Sequence, residues 1–264
     1  MRRVSGSAGS SLLIAFAALA AGCGGGGSDP APSNNPPPTT SASPGGIWQG
    51  TESVSGLQVT GLIDESGEFH FLRSDNVQYV GTAVVSGSSA SASLEGFTPP
   101  GYAWPDGSTH GSGSVSGSLQ QRVSMNLSTS FTTDAGNTQN GTLNLTYNTL
   151  YNRASSLATI SGNFTNTQNG VVVTVGSDGS LFSQDPSSGC VLNGSVTMIN
   201  ASYNAYKVQW TYANCTGQSA VLNGLPFSGL ATLDNTVSPE RAIVGVTAKS
   251  GNAKAALVYV LNRS

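Results

Sequence analysis

From residue 47 onward, apolar and polar positions alternate in short runs broken by Gly, Asn, Asp and Ser. A period of two marks half-buried strands, and no stretch keeps the three-to-four spacing of an amphipathic helix. One hairpin is legible over 57–72, with its turn at Asp64-Glu65-Ser66-Gly67. Phe69 and Phe71 fall on one of its faces; His70 falls on the other, which is predicted to be the solvent face. The connector Tyr151-Asn152-Arg153-Ala154-Ser155-Ser156-Leu157 is predicted to hold one helical turn.

The same order of signals occurs twice. Gly46-Ile47-Trp48 corresponds to Gly162-Asn163-Phe164, and the turn Glu65-Ser66-Gly67 to Ser177-Asp178-Gly179. Gly81-Thr82-Ala83-Val84 corresponds to Gly194-Ser195-Val196-Thr197, 14 and 15 residues after the turn glycines. Each half then closes with a three-strand meander, roughly 112–119, 122–130 and 141–147 in the first and 227–233, 242–248 and 254–261 in the second. The predicted fold is therefore all-β: two tandem antiparallel units of about eight strands, 47–152 and 153–264. Up-and-down barrel closure would remove the sheet edges, and a β-sandwich is the alternative. Gly-x-Trp at the start of the first unit resembles the opening of lipocalin- and avidin-like barrels.

The N-terminus reads differently. Arg2 and Arg3 precede ten apolar residues, 12–21, too short a run to span a bilayer, and small residues then lead to Cys23. Residues 1–22 are expected to be a secretion signal. Leu19-Ala20-Ala21-Gly22-Cys23 resembles the lipobox of bacterial lipoproteins. That resemblance implies a diacylglyceryl thioether on Cys23, a third acyl chain on its freed amine and stable membrane anchoring. By the same analogy Gly24, in place of Asp, directs the chain to the outer membrane. Residues 23–46 hold half of the 12 prolines together with a run of glycines. They are expected to form a disordered tether that gives the folded part reach.

Charged residues are only 9% of the chain and the net charge is −3. A charge-poor, acidic surface argues against nucleic acid as a partner. Cys190 and Cys215, an even pair in an exported chain, are expected to form a disulfide. They are equidistant from a predicted turn at 201–206, as a bridge between antiparallel strands requires.

Candidate chemistry is sparse. His70 and His110 lack a second ligand at metal spacing, and His110 falls in a Gly/Ser-rich stretch read as a loop, so no metal or cofactor is expected. Gly-x-Ser-x-Gly does not occur. Asp64, Asp75 and Asp106 fall at turns, where Asp serves the backbone, so a hydrolase is disfavoured and no catalytic residue is assigned. The loop 97–106 has no counterpart in the second half. Its Tyr102 and Trp104, on a Pro-stiffened segment, are either recognition contacts or a plug for one barrel end.

Gly46-Ile47-Trp48-Gln49-Gly50-Thr51 and Val59-Thr60-Gly61-Leu62, with the Cys-Gly-Gly-Gly-Gly-Ser start, resemble a group of proteobacterial outer-membrane lipoproteins. These share a GxWxGT opening and a cysteine-bearing second half. The resemblance implies the anchor and the duplication, but no activity. The expectation is a lipid-anchored, non-enzymatic envelope protein acting in binding or adhesion, its partner a glycan or a protein. The alternative is a calycin-like carrier of a small apolar ligand.

Overall fold

The computed structural model describes residues 41–264 apart from 167 and 251–252. The expected signal 1–22, Cys23 and the tether as far as residue 40 lie outside the described residues. Strands β1 (Gly46–Glu52), β2 (Gln58–Ile63), β3 (Glu68–Arg73), β4 (Gln78–Ser86), β5 (Ser89–Phe97), β6 (His110–Gln120), β7 (Ser124–Thr133) and β8 (Thr138–Asn148) close into one barrel. A second closes from β9 (Gly162–Asn166), β10 (Val172–Val175), β11 (Ser180–Gln184), β12 (Val191–Met198), β13 (Tyr206–Ala213), β14 (Phe227–Asp234), β15 (Arg241–Ser250) and β16 (Ala253–Arg263). All neighbours are antiparallel, and β8 and β16 return to pair with β1 and β9. The two eight-strand units are as expected, and closure as barrels replaces the sandwich alternative. Between the barrels lie a 3-10 turn, Thr149–Asn152, and a one-turn helix α1, Leu157–Ile160, capped by the Ser156 hydroxyl on the Thr159 N–H.

The duplication extends to register. Trp48 stands opposite Tyr147 where the first barrel closes, and Phe164 stands opposite Arg263 where the second does. Gly67 and Gly179 have φ of 91° and 85°. Each accepts a hydrogen bond at its carbonyl from the fourth strand of its barrel, from the Ala83 N–H at 2.8 Å and the Val196 N–H at 2.7 Å. A Cβ at Gly67 would sit 2.3 Å from the Ala83 carbonyl oxygen, and one at Gly179 2.4 Å from that of Val196, so only glycine fits.

With eight strands each, both barrels take the chain in and release it at one end, here called the floor. Four loops form the opposite rim. The floor of the first barrel corrects the expected tether boundary. Residues 42–46 are not free chain: the Ala42 N–H donates to the Gly87 carbonyl, the Ser43 hydroxyl to Glu65, and the Trp48 indole to the Pro44 carbonyl at 3.0 Å. The segment stoppers the barrel, with Ala42 packed against its core.

The barrels lie side by side, which corrects both histidine assignments. His70 does point away from Phe69 and Phe71, as alternation requires, but that face is covered by the second barrel and His70 is 8% exposed. His110 is the first residue of β6 and is also buried. Outward residues Ile47 and Leu62 pack with Leu230 and Ala205, and Val80 and Phe97 with Ala256. Two ion clusters flank these contacts. Lys207 Nζ is 2.5 Å from the Glu68 carboxylate, which His70 Nε2 also approaches at 3.5 Å. His70 and Lys207 hold the Glu68 carboxyl down to about 2, against the burial that opposes them. Near the rims, Glu95 meets Lys249 and His110, and His110 Nδ1 is 3.0 Å from Asp134. Floor thus meets floor and rim meets rim.

Candidate functional site

The two interiors differ although their walls match. In the first barrel, Trp48, Phe69 and Phe71 are buried, and a space of about 70 Å³ remains among Val59, Ala92, Val115, Leu127 and Leu143. Its rim is sealed twice. Arg73 forms a two-point ion pair with Asp75 at 2.8–2.9 Å, and its remaining nitrogen donates to Glu52 and to the Tyr79 hydroxyl. Above this, Trp104 packs edge-on against Phe131, which in turn packs on Tyr79.

The loop singled out from the sequence therefore divides its roles. Trp104 is a half-buried plug, whereas Tyr102 is 70% exposed. Asp106 fastens the loop, accepting from Thr133, from Asn137 at 2.8 Å and from the Ser108 N–H at 2.9 Å. Those bonds hold its carboxyl well below the usual carboxylate range. Asp64 likewise serves its own turn, accepting from the Ser66 and Glu68 N–H groups. The three aspartates thus stand on different turns with local partners. No group of three or more His, Cys, Asp or Glu among the described residues is arranged to hold a metal ion.

The second barrel keeps a cavity of about 220 Å³. Its walls are apolar side chains, Phe164, Val173, Leu181, Leu192, Val208 and Leu261 among them, and α1 contributes Ile160 from the floor. Toward the rim they turn polar, with Asn166, Ser183, Asp185, Ser188 and Ser219. Between the two zones sit Trp210, Tyr212 and Tyr259. Tyr212 and Tyr259 share a hydrogen bond at 2.8 Å, and burial pushes both phenols up from their ordinary pKa, so both stay protonated. The Trp210 ring stacks at 6.0 Å on Phe227. Its N–H stands beside Tyr212 and pulls that phenol weakly down, yet it is buried and makes no hydrogen bond.

The expected disulfide forms and belongs to this rim. Cys190 lies just before β12 and Cys215 just after β13, beyond the last ladder pair Val191–Ala213, with Cα atoms 4.0 Å apart. It ties the β11–β12 loop to the β13–β14 loop. The latter is braced by the Asn223 side chain, which bonds both the N–H and the carbonyl of Cys215. Sequence reasoning found the bridge but not the cavity beneath it. The signal was three bulky aromatics, Trp210, Tyr212 and Tyr259, at inward positions of two strands.

A further crevice of about 300 Å³ lies between the barrels, lined by Leu62, His70, Gln78, Leu230 and Ile243 among others. Gln78 Nε2 is 2.6 Å from His70 Nδ1 and Arg241 pairs with Asp234 at 2.9 Å, while Gln78 Oε1 is buried without a donor.

No protein-family model matches the chain, and no curated protein matches it. Fold and site together define a tandem double β-barrel protein with one filled interior and one roomy one.

Proposed function

We propose that this protein is a lipid-anchored, non-enzymatic component of the cell envelope whose second barrel carries a small, largely apolar ligand. The observation that carries the reading is the 220 Å³ cavity, apolar within and polar at a disulfide-braced rim. It exceeds the roughly 150 Å³ that accepts benzene in a hydrocarbon-lined protein cavity, and small-ligand sites commonly combine an apolar lining with few polar groups. The local engagement of Asp64 and Asp106 supports a binding role over hydrolysis. The lipobox-like run ending at Cys23 supports the anchor. Metabolic labelling with palmitate should mark the wild-type chain and not Cys23→Ser; equal labelling would refute the anchor.

The carrier role is tested by native mass spectrometry of the full chain extracted from its own membranes. A small-molecule adduct is expected, and it should disappear in Ala231→Phe, which fills the cavity wall. An adduct-free wild type, or one retained unchanged in Ala231→Phe, would sink the proposal. Adhesion through exposed Tyr102 is the second reading, favoured by its 70% exposure on a fastened loop. Loss of binding to a glycan or matrix-protein array in Tyr102→Ala would support it, and an array with no hits would count against it.

A further inference from the structure

We infer that the ligand of the second barrel is a neutral molecule with an apolar body of about one ring and a hydrogen-bond-accepting oxygen, a carbonyl or ether, seated against Trp210, Tyr212 and Tyr259. The inference rests on the carrier reading and specifies what is carried.

Trp210 is 5% exposed, and its N–H, a group that can only donate, is buried without an acceptor. Leaving such a group unpaired is costly, so the wall favours an occupant that brings an acceptor. Tyr212 and Tyr259 use one O–H between them, which leaves the other free to donate outward. Trp210, Tyr212 and Tyr259 all line the cavity, so the aromatic band brings one free phenol O–H and one unpaired indole N–H to the same part of its wall.

Among the described residues no Lys, Arg or His lines the cavity, and the one carboxylate there, Asp185 at the rim, is occupied by Ser187 and Ser188. An anionic ligand would lose its hydration without gaining a counter-charge, and a cation would meet donors instead of acceptors. A neutral acceptor fits both conditions.

The duplication separates the two barrels on the same point. Superposing the registers through Gly81 and Gly194, and through Trp48 and Phe164, equates Trp210 with Leu94, Tyr212 with Gly96 and Tyr259 with Leu143. All three donors stand where the first barrel has a residue with no side-chain donor. The remaining indole within the first barrel, Trp48, already donates to Pro44. The donor set thus belongs to the roomy barrel alone.

The test uses the full chain in detergent with two isosteric probes, acetophenone and ethylbenzene, which differ in a carbonyl against a methylene. Binding is read from the indole N–H resonances of the three tryptophans, Trp210 being assigned by its loss in Trp210→Phe. Acetophenone should bind about tenfold tighter than ethylbenzene, the advantage expected of one or two added hydrogen bonds, and should shift the Trp210 resonance alone. In Trp210→Phe, and in the double variant Tyr212→Phe/Tyr259→Phe, the advantage should fall below about threefold, with ethylbenzene affinity kept. Near-ultraviolet circular dichroism would verify that each variant is folded. Equal affinity for the two probes would overturn the inference while leaving the carrier reading standing. Failure of both probes to bind would overturn both.

Discussion

Replacing Glu68 with Gln tests whether the barrels are held together by a charge that acid can remove. A carboxyl whose pKa falls from 4.5 to about 2 on folding contributes about 3 kcal/mol at neutral pH, at about 1.4 kcal/mol per pKa unit. Glu68 and Lys207 retain 30% and 27% exposure, so screening by water reduces the figure to about 2 kcal/mol. Because the folded pKa is depressed, this stability is complete above pH 4.5 and is lost as pH falls toward 2. His70 acts earlier and in the same direction. Burial lowers its pKa from 6.5, so the unfolded chain takes up a proton that the folded one refuses, and stability declines as pH drops below 6.5. Urea unfolding followed by circular dichroism at pH 7, 5.5, 4 and 3 should therefore show Glu68→Gln less stable by about 2 kcal/mol at pH 7, with the gap narrowed to less than half by pH 3. Other carboxylates titrate in both proteins and cancel in the difference. Stability curves that run parallel from pH 7 to 3 would refute the assignment.

Gly67→Ala should cost about 3 kcal/mol or more, since it adds a backbone clash to a left-handed φ; Gly56→Ala, left-handed but with open space around it, should cost about 1 kcal/mol. Equal shifts in urea midpoint would remove the turn-to-strand contact from the account. Replacing Cys190 and Cys215 with Ser opens a link across 25 residues and should cost about 3 kcal/mol. Hydrogen exchange should quicken in the rim loops 185–190 and 214–226 and stay unchanged over 46–148. Trp104→Ala should destabilise by about 1–2 kcal/mol through its loss from Phe131, whereas Tyr102→Ala should stay within about 0.5 kcal/mol; thermal unfolding separates the two.

The strands and their order were legible because each carries alternation and each tight turn carries glycine. The hairpin at 58–73 and both meanders fall within a few residues of their expected places. The contact between barrels was not legible, because an outward residue facing solvent and one facing another barrel occupy the same parity. His70 was misread for that reason. A clue lay in 227–234, where Leu230 interrupts the alternation and every position but Ser228 is buried. The tether was overextended because Pro44 and Ser43 have linker composition while serving as a stopper. The cavity depends on side-chain volumes summed over eight strands, which no local window reports.

An even number of strands has a consequence for orientation. Ala42, the linker between the barrels and Arg263 all lie at the floors, and the flanking ion clusters set the two floors side by side. Any hold on the chain upstream of Ala42 therefore grips the molecule from beneath. Tyr102 and the disulfide-braced opening lie at the far end, like two cups standing on one saucer. A ligand can then reach the opening without passing the point where the chain enters.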